Sequence, residues 1–130
     1  MKYKQYDIWL ADLNPTVGTE SGKTRPVVII QTDLLNETHF STIVCPVTTN
    51  VQPLAHILRI HLKKTQLPKM SDVLVDQPRA IDNRRFIKKL GKLNSEQIIQ
   101  LRENLKVVLD LSVPQLKWKP AVSRMLKQLG

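Results

Sequence analysis

The sequence predicts a β-rich α+β fold, a small barrel of short strands with one amphipathic helix packed on its side. Two observations predict the strands and a third the helix. Short apolar, β-branched runs recur through residues 6–93, and segments rich in Pro, Gly and polar residues separate them. Runs this short must curl to hide their edges. After residue 94 the apolar residues instead recur at helical spacing behind a set of capping residues. The length of 130 residues suits one domain that buries its own core.

Taken in order, "YDIWLADL" (6–13) is aromatic and β-branched and reads as the first strand. "NPTVGTESGKT" (14–24) is punctuated by Pro and Gly and reads as a long loop. "PVVIIQ" (26–31) reads as a buried strand, with Pro26 at a first position that needs no ladder donor. "STIVCPVT" (41–48) and "HILRIHL" (56–62) read as the third and fourth strands, and "KKTQLPKMSD" (63–72) as a polar loop. "VLVDQ" (73–77) is a fifth strand stopped by Pro78, and "RRFIKKLGKL" (84–93) a short last strand or an irregular run. Asn94 and Gln97 have the spacing of a capping box, and Leu93 and Ile98 that of a hydrophobic staple. Ile98, Leu101, Leu105, Val108 and Leu109 then define one helical face, and Pro114 marks the limit of the helix.

The formal charge of +9 is unevenly spread. Residues 1–62 are neutral, residues 63–94 carry +6, residues 95–112 carry −1 and residues 113–130 carry +4. Concentrated positive charge points to an anionic partner, with nucleic acid the first choice over a merely basic surface. One cysteine excludes an internal disulfide and a cysteine-based zinc site. No apolar run is long enough to span a bilayer and the start reads poorly as a signal peptide, so the expected location is cytoplasmic. Nothing has the spacing of a metal site, and no cofactor is expected.

Arg25 stands between a glycine-containing loop and a core strand. Pro26 pushes the Arg25 backbone into extended geometry. A guanidinium is not buried alone, so it should project from the end of the barrel, where its planar fork suits phosphate. An ionic bridge to Glu20 or to an aspartate is the alternative use of the same side chain. The histidines offer less. His56 and His61 have odd separation within one expected strand, which would point them to opposite faces.

"DIWLADLNPTVGTESGKTRPVVII" (7–30) resembles the signature of the MazF/PemK-type toxins, with its Leu-x-Pro, Gly-x-Glu and Arg-Pro at fixed offsets. "CPVT" (45–48) and "VLVDQPRAIDNRRF" (73–86) resemble two later stretches of that family, so the likeness covers about residues 6–111. Tyr6 departs from it, standing where the family often has Gly. The resemblance implies an SH3-like barrel, a homodimer, a cognate antitoxin and metal-independent cleavage of single-stranded RNA. It places the catalytic pair on Arg25 and Thr48, with Glu20 as a base or a loop-ordering acid. In such chemistry the 2′-OH of RNA is the nucleophile, and the products are a 2′,3′-cyclic phosphate and a 5′-hydroxyl.

Gln77, Arg79, Arg84 and Arg85 are the candidate RNA contacts; Arg79 is preferred because it lies in the matched stretch just after a strand end, and Gln77 as a side chain that could read a base edge. The alternatives are a non-catalytic nucleic-acid-binding module and a gyrase-poisoning toxin on the same fold. The barrel domain is expected over residues 1–112. Residues 113–130 form a basic tail in which Val122, Met125, Leu126 and Leu129 share one face of a possible short helix after Pro120.

Overall fold

Proline and the apolar run behind it set the central strand. The computed structural model describes residues 2–15, 18, 23–111 and 127. In it the chain forms β1 (Asp7–Asp12), β2 (Thr24–Ile29), a single-turn α1 (Asp33–Asn36), β3 (Ser41–Thr48), β4 (Arg59–Leu62), β5 (Ser71–Leu74), β6 (Arg79–Asp82), β7 (Phe86–Lys92) and α2 (Ser95–Val108). The strand order is β4-β5-β3-β2-β1-β7, and β6 pairs with β3. Every pairing is antiparallel.

The sheet curls into a half-barrel and leaves β4 and β7 as its two edges. Gln66 spans the gap, donating to the Lys92 carbonyl at 2.9 Å and to Gln97 Oε1 at 2.7 Å. β3 makes the corner. Its first half, Ser41–Val44, pairs with β6, and Val47 and Thr48 pair with β5. The concave side holds the main core, which includes Ile8, Val28, Cys45, Val47, Ile60 and Val73. The other face of β1, β2, β3 and β6 holds a second cluster of Trp9, Ala11, Leu13, Val27, Ile29, Val44 and Ile81, with Tyr3 and Phe86 packed against it. Strand parity therefore sorts side chains cleanly between two faces.

Helix α2 begins as its sequence dictates. The Asn94 side chain accepts from the Gln97 backbone and the Gln97 side chain from the Asn94 backbone, which completes the capping box. Leu101 is fully buried in the main core, and Ile98, Leu105 and Val108 pack against it. The helix stops at Val108, well before Pro114, because Asp110 turns left-handed at φ 53°. Leu109 is consequently half exposed and leaves the apolar face expected for it.

Other expectations need correction. β6 was not expected as a strand, and the fifth strand lies two residues earlier than its apolar run suggested, over Ser71–Leu74. The fourth strand is shorter and begins at Arg59, so His56 lies outside it. The parity that would separate His56 from His61 fails, and their rings meet edge-on with centroids 6.1 Å apart. Tyr6 has φ 71°, a region that glycine enters freely and a side chain resists. Its backbone is held there by bonds to Ile29 and Leu93, and its hydroxyl accepts from Arg102 at 3.1 Å. The expectation for residues 113–130 lies outside the described residues apart from Lys127. No helix among the described residues is long and apolar enough to cross a membrane.

Candidate active site at the end of the central strands

Arg25 and Thr48 come from neighbouring strands. The β2–β3 register pairs Val27 with Pro46, Val28 with Cys45 and Ile29 with Val44. Continuing it by two residues brings Arg25 across from Thr48. Both residues have the parity of Val27 and Val44, so both side chains leave the sheet on the face opposite the main core. The ladder itself ends before this point. Beyond Pro46, which has no N–H to donate, β3 passes to β5 and Thr48 pairs with Asp72.

The Thr48 side chain is locally oriented. Its Oγ1 accepts the Asn50 backbone N–H at 3.1 Å. A hydroxyl that accepts in this turn keeps its proton available for a second partner. Arg25 is half-buried and stands opposite Ala11 in the β1–β2 ladder. Gly18, in the loop that joins these strands, has φ 61°, which requires a residue without strain in the left-handed region. Glu20 and Gly22 lie outside the described residues.

The basic candidates occupy three places. Arg79 opens β6 opposite Val44, on the same face as Arg25 and Thr48. Four residues of extended strand separate Val44 from Thr48, so Arg79 stands roughly 13 Å from Thr48 along the strand. Arg84 and Arg85 lie beyond β6, bordering a cleft of about 750 Å³ with Asp12, Asn14 and Thr24. The Arg84 fork bonds both oxygens of Asp82 at 3.0 Å. That bond, with the Arg84 backbone N–H, holds the Asp82 carboxyl below the usual carboxylate range. Arg85 donates to the Asp12 carbonyl at 3.1 Å and to the Asn14 carbonyl, clamping the foot of the β1–β2 loop. Gln77 follows β5 and lines a separate cleft of about 440 Å³ with Leu54, Leu58, Arg59 and Asp76. The structure thus brings Arg25, Thr48 and Arg79 to one face, and puts Gln77 and the Arg84–Arg85 pair on either side.

One cluster escaped the sequence reading. Asp72 is fully buried in β5, in what had read as a polar loop. Its Oδ2 accepts from the Gln52 backbone at 2.9 Å and from Arg59 Nη1 at 3.2 Å, and its Oδ1 lies 2.6 Å from His61 Nδ1. The available signal was the alternation in "RIHL": Arg59 and His61 share a strand face, and two partly buried nitrogen donors side by side call for an acid opposite. Cys45 shows the opposite case. Burial first, and then the nearby Asp76 charge, push its thiol up to about 12, so it is an inert core side chain.

Comparison with known proteins gives the family. Residues 4–109 match the family described as "PemK-like, MazF-like toxin of type II toxin-antitoxin system". The chain is similar to Endoribonuclease EndoA of Bacillus subtilis (strain 168), 34% identical over 113 residues that cover 85% of this chain and 97% of the relative. It is similar to Endoribonuclease MazF of Staphylococcus epidermidis, 37% identical over 109 residues that cover 82% of this chain and 90% of the relative. Its fold is similar to the crystal structure of MazE-MazF (Form-III) from Deinococcus radiodurans, with a TM-score of 0.71 at 21% identity, covering 86% of this chain and 100% of that one. The chain belongs to the PemK-like, MazF-like toxins of type II toxin–antitoxin systems.

Proposed function

We propose that this chain is the toxin of such a pair and acts as an endoribonuclease on single-stranded RNA. The reaction is internal attack by the 2′-OH on the adjacent phosphate, without a metal ion or cofactor. It yields a 2′,3′-cyclic phosphate and a 5′-hydroxyl. The observation that supports this reading most directly is strand parity: Arg25 in β2 and Thr48 in β3 share the parity of Val27 and Val44, on the face opposite the main core. Attack by the 2′-OH puts extra negative charge on the non-bridging oxygens. The Arg25 fork meets that charge and supplies a proton to the departing 5′-oxygen. The Thr48 hydroxyl donates to a non-bridging oxygen, since its own acceptor side is occupied by Asn50. Glu20 serves as base or orders the loop over the site.

RNA runs along the outer face from Thr48 toward Arg79, with Arg84 and Arg85 beside its phosphates. Gln77 reads a base edge from the neighbouring cleft. The chain works as a homodimer in the cytoplasm, and a cognate antitoxin blocks the RNA path. The test is incubation of a long single-stranded RNA with the purified chain in excess EDTA. Cuts at defined short sequences, with ends that carry cyclic phosphate, are expected. An all-deoxy strand should survive because it lacks the nucleophile. Activity that disappears in EDTA and returns with magnesium would refute the mechanism. Binding without cutting would leave a non-catalytic RNA-binding module, and DNA breaks that depend on gyrase would identify a gyrase poison.

A further inference from the structure

Across the curled sheet, Thr48, Asp72 and His61 stand in one lateral row. Thr48 pairs with Asp72 between β3 and β5, and Asp72 pairs with His61 between β5 and β4. Directly paired residues share a face. Their neighbours Val47, Val73 and Ile60 point into the main core, so the row lies on the opposite, outer side. Asp72 is nevertheless fully buried, because the segment after Thr48 folds over it.

The bonds that hold this segment converge on one carboxylate. Asp72 Oδ2 accepts the Gln52 backbone N–H at 2.9 Å. Arg59 Nη1 bridges Asp72 Oδ2 at 3.2 Å and the Asn50 carbonyl at 3.0 Å. Asn50 in turn donates its N–H to Thr48 Oγ1. A turn fixed at Asn50 and at Gln52 fixes the rotamer of Thr48. His61 completes the set at Asp72 Oδ1, and its own backbone carbonyl accepts from Gln97 at the start of α2. An ionised carboxylate only accepts, so the His61 tautomer that bonds it is the one with its proton on Nδ1. His61 Nε2 is buried and has no partner among the described residues, so it is poorly placed to take a proton from RNA.

We propose that Asp72 is a positioning residue for the Thr48 hydroxyl, braced by Arg59 and His61, and that this brace sets the rate of the cleavage step. The proposal rests on the reading of Thr48 as an oxyanion donor. Neither Asp72 nor His61 touches the reacting phosphate. Their effect passes through the turn at Asn50.

The test combines two sets of variants under single-turnover conditions with excess protein on a short RNA. Asp72→Asn keeps the size of the side chain but gives up acceptor capacity. It should lower the rate of the cleavage step about 10- to 100-fold, the scale of a small displacement of a reacting group, with little change in KM. In a Thr48→Val background the same substitution should add almost nothing, since the hydroxyl it positions is gone. Full additivity of the two losses overturns the proposal. His61→Asn places an amide N–H near Nδ1 and should keep the rate within about threefold of wild type, whereas His61→Ala should lose about tenfold. Equal losses in both His61 variants would mean that Nε2 acts directly, and no loss in either would make the brace a bystander; both results overturn the proposal. The His61 pair decides the question if Asp72→Asn fails to fold. If the wild-type chain leaves every RNA intact, the functional reading itself fails. A wild type that cuts, alongside an Asp72→Asn variant that cuts equally well, removes only the brace.

Discussion

Replacement of Thr48 by valine isolates the hydroxyl, because the two side chains share shape and β-branching. In the folded chain that hydroxyl makes one bond, accepting the Asn50 N–H at 3.1 Å in an exposed turn. Water can satisfy Asn50 once the oxygen is gone. The stability loss should therefore sit at the low end for a hydrogen bond, about 0.5 kcal/mol. For a domain of this size that lowers Tm by only about 2 °C. The catalytic loss should be far larger. A donor aimed at charge that develops in the transition state is worth about 10²- to 10³-fold in rate. Thr48→Ser keeps the donor and loses only rotamer restriction, so it should retain activity within about tenfold. Single-turnover cleavage of an end-labelled RNA, with thermal melts of the same samples, measures both effects. Thr48→Val that cuts within threefold of wild type would refute the assignment of the hydroxyl. A large fall in Tm would show that Thr48 is needed for the fold instead.

The remaining predictions concern the guanidinium, the helix and the buried thiol. Arg25→Ala should abolish cleavage and change stability by no more than about 1 kcal/mol in a denaturant titration; Arg25→Lys should also cut poorly, because a point charge does not replace a planar fork. Unfolding of Arg25→Ala would favour the structural-bridge reading. Leu101→Ala removes a fully buried side chain that joins α2 to the main core and should cost about 2–5 kcal/mol by the same titration, without altering the sites of cleavage. Cys45 should resist alkylation in the native protein at pH 8 and react on unfolding, as followed by mass spectrometry. Its thiol pKa is raised by burial from 9.0 to about 12, so its contribution to stability is complete below pH 9 and declines as the pH rises toward 12. Melts across that range should therefore fall, and a Cys45→Ala variant should show a shallower decline.

The parts of the fold that could be read from the sequence are those whose causes are local. A proline ahead of four apolar residues announces β2, and Asn94, Gln97 and Ile98 announce the start of α2 within a single turn. β6 has no such local cause. Its four residues, Arg79–Asp82, bury only Ile81 and follow a proline that read as a stop. They are a strand because the first half of β3 offers them an edge. α1 is one turn held by the Thr32 cap and by the buried Gln31–Asn36 contact at 2.8 Å, too short to leave a periodic trace. Tyr6 is the converse. The family resemblance marked its position as one for glycine, and the reason appears only in the backbone, where φ is 71°.

The site divides in the same way. Arg25 was legible because Pro26 restricts it locally, and Thr48 because the resemblance marked its position; that both strands are neighbours in the sheet follows from a β2–β3 pairing that no local pattern encodes. Asp72 was hidden by its own polarity. In a run of polar residues it read as loop, because a carboxylate rarely enters a strand interior. It is tolerated there because a backbone N–H, a guanidinium and an imidazole all converge on its two oxygens. Those partners come from positions 52, 59 and 61, so the segment between β3 and β4 is drawn back over the carboxylate. In the same segment His56 lies outside β4 and approaches His61. One buried carboxylate thus holds the ordered turn behind Thr48. A local reading missed it because the acid lies some twenty residues downstream of the turn it holds.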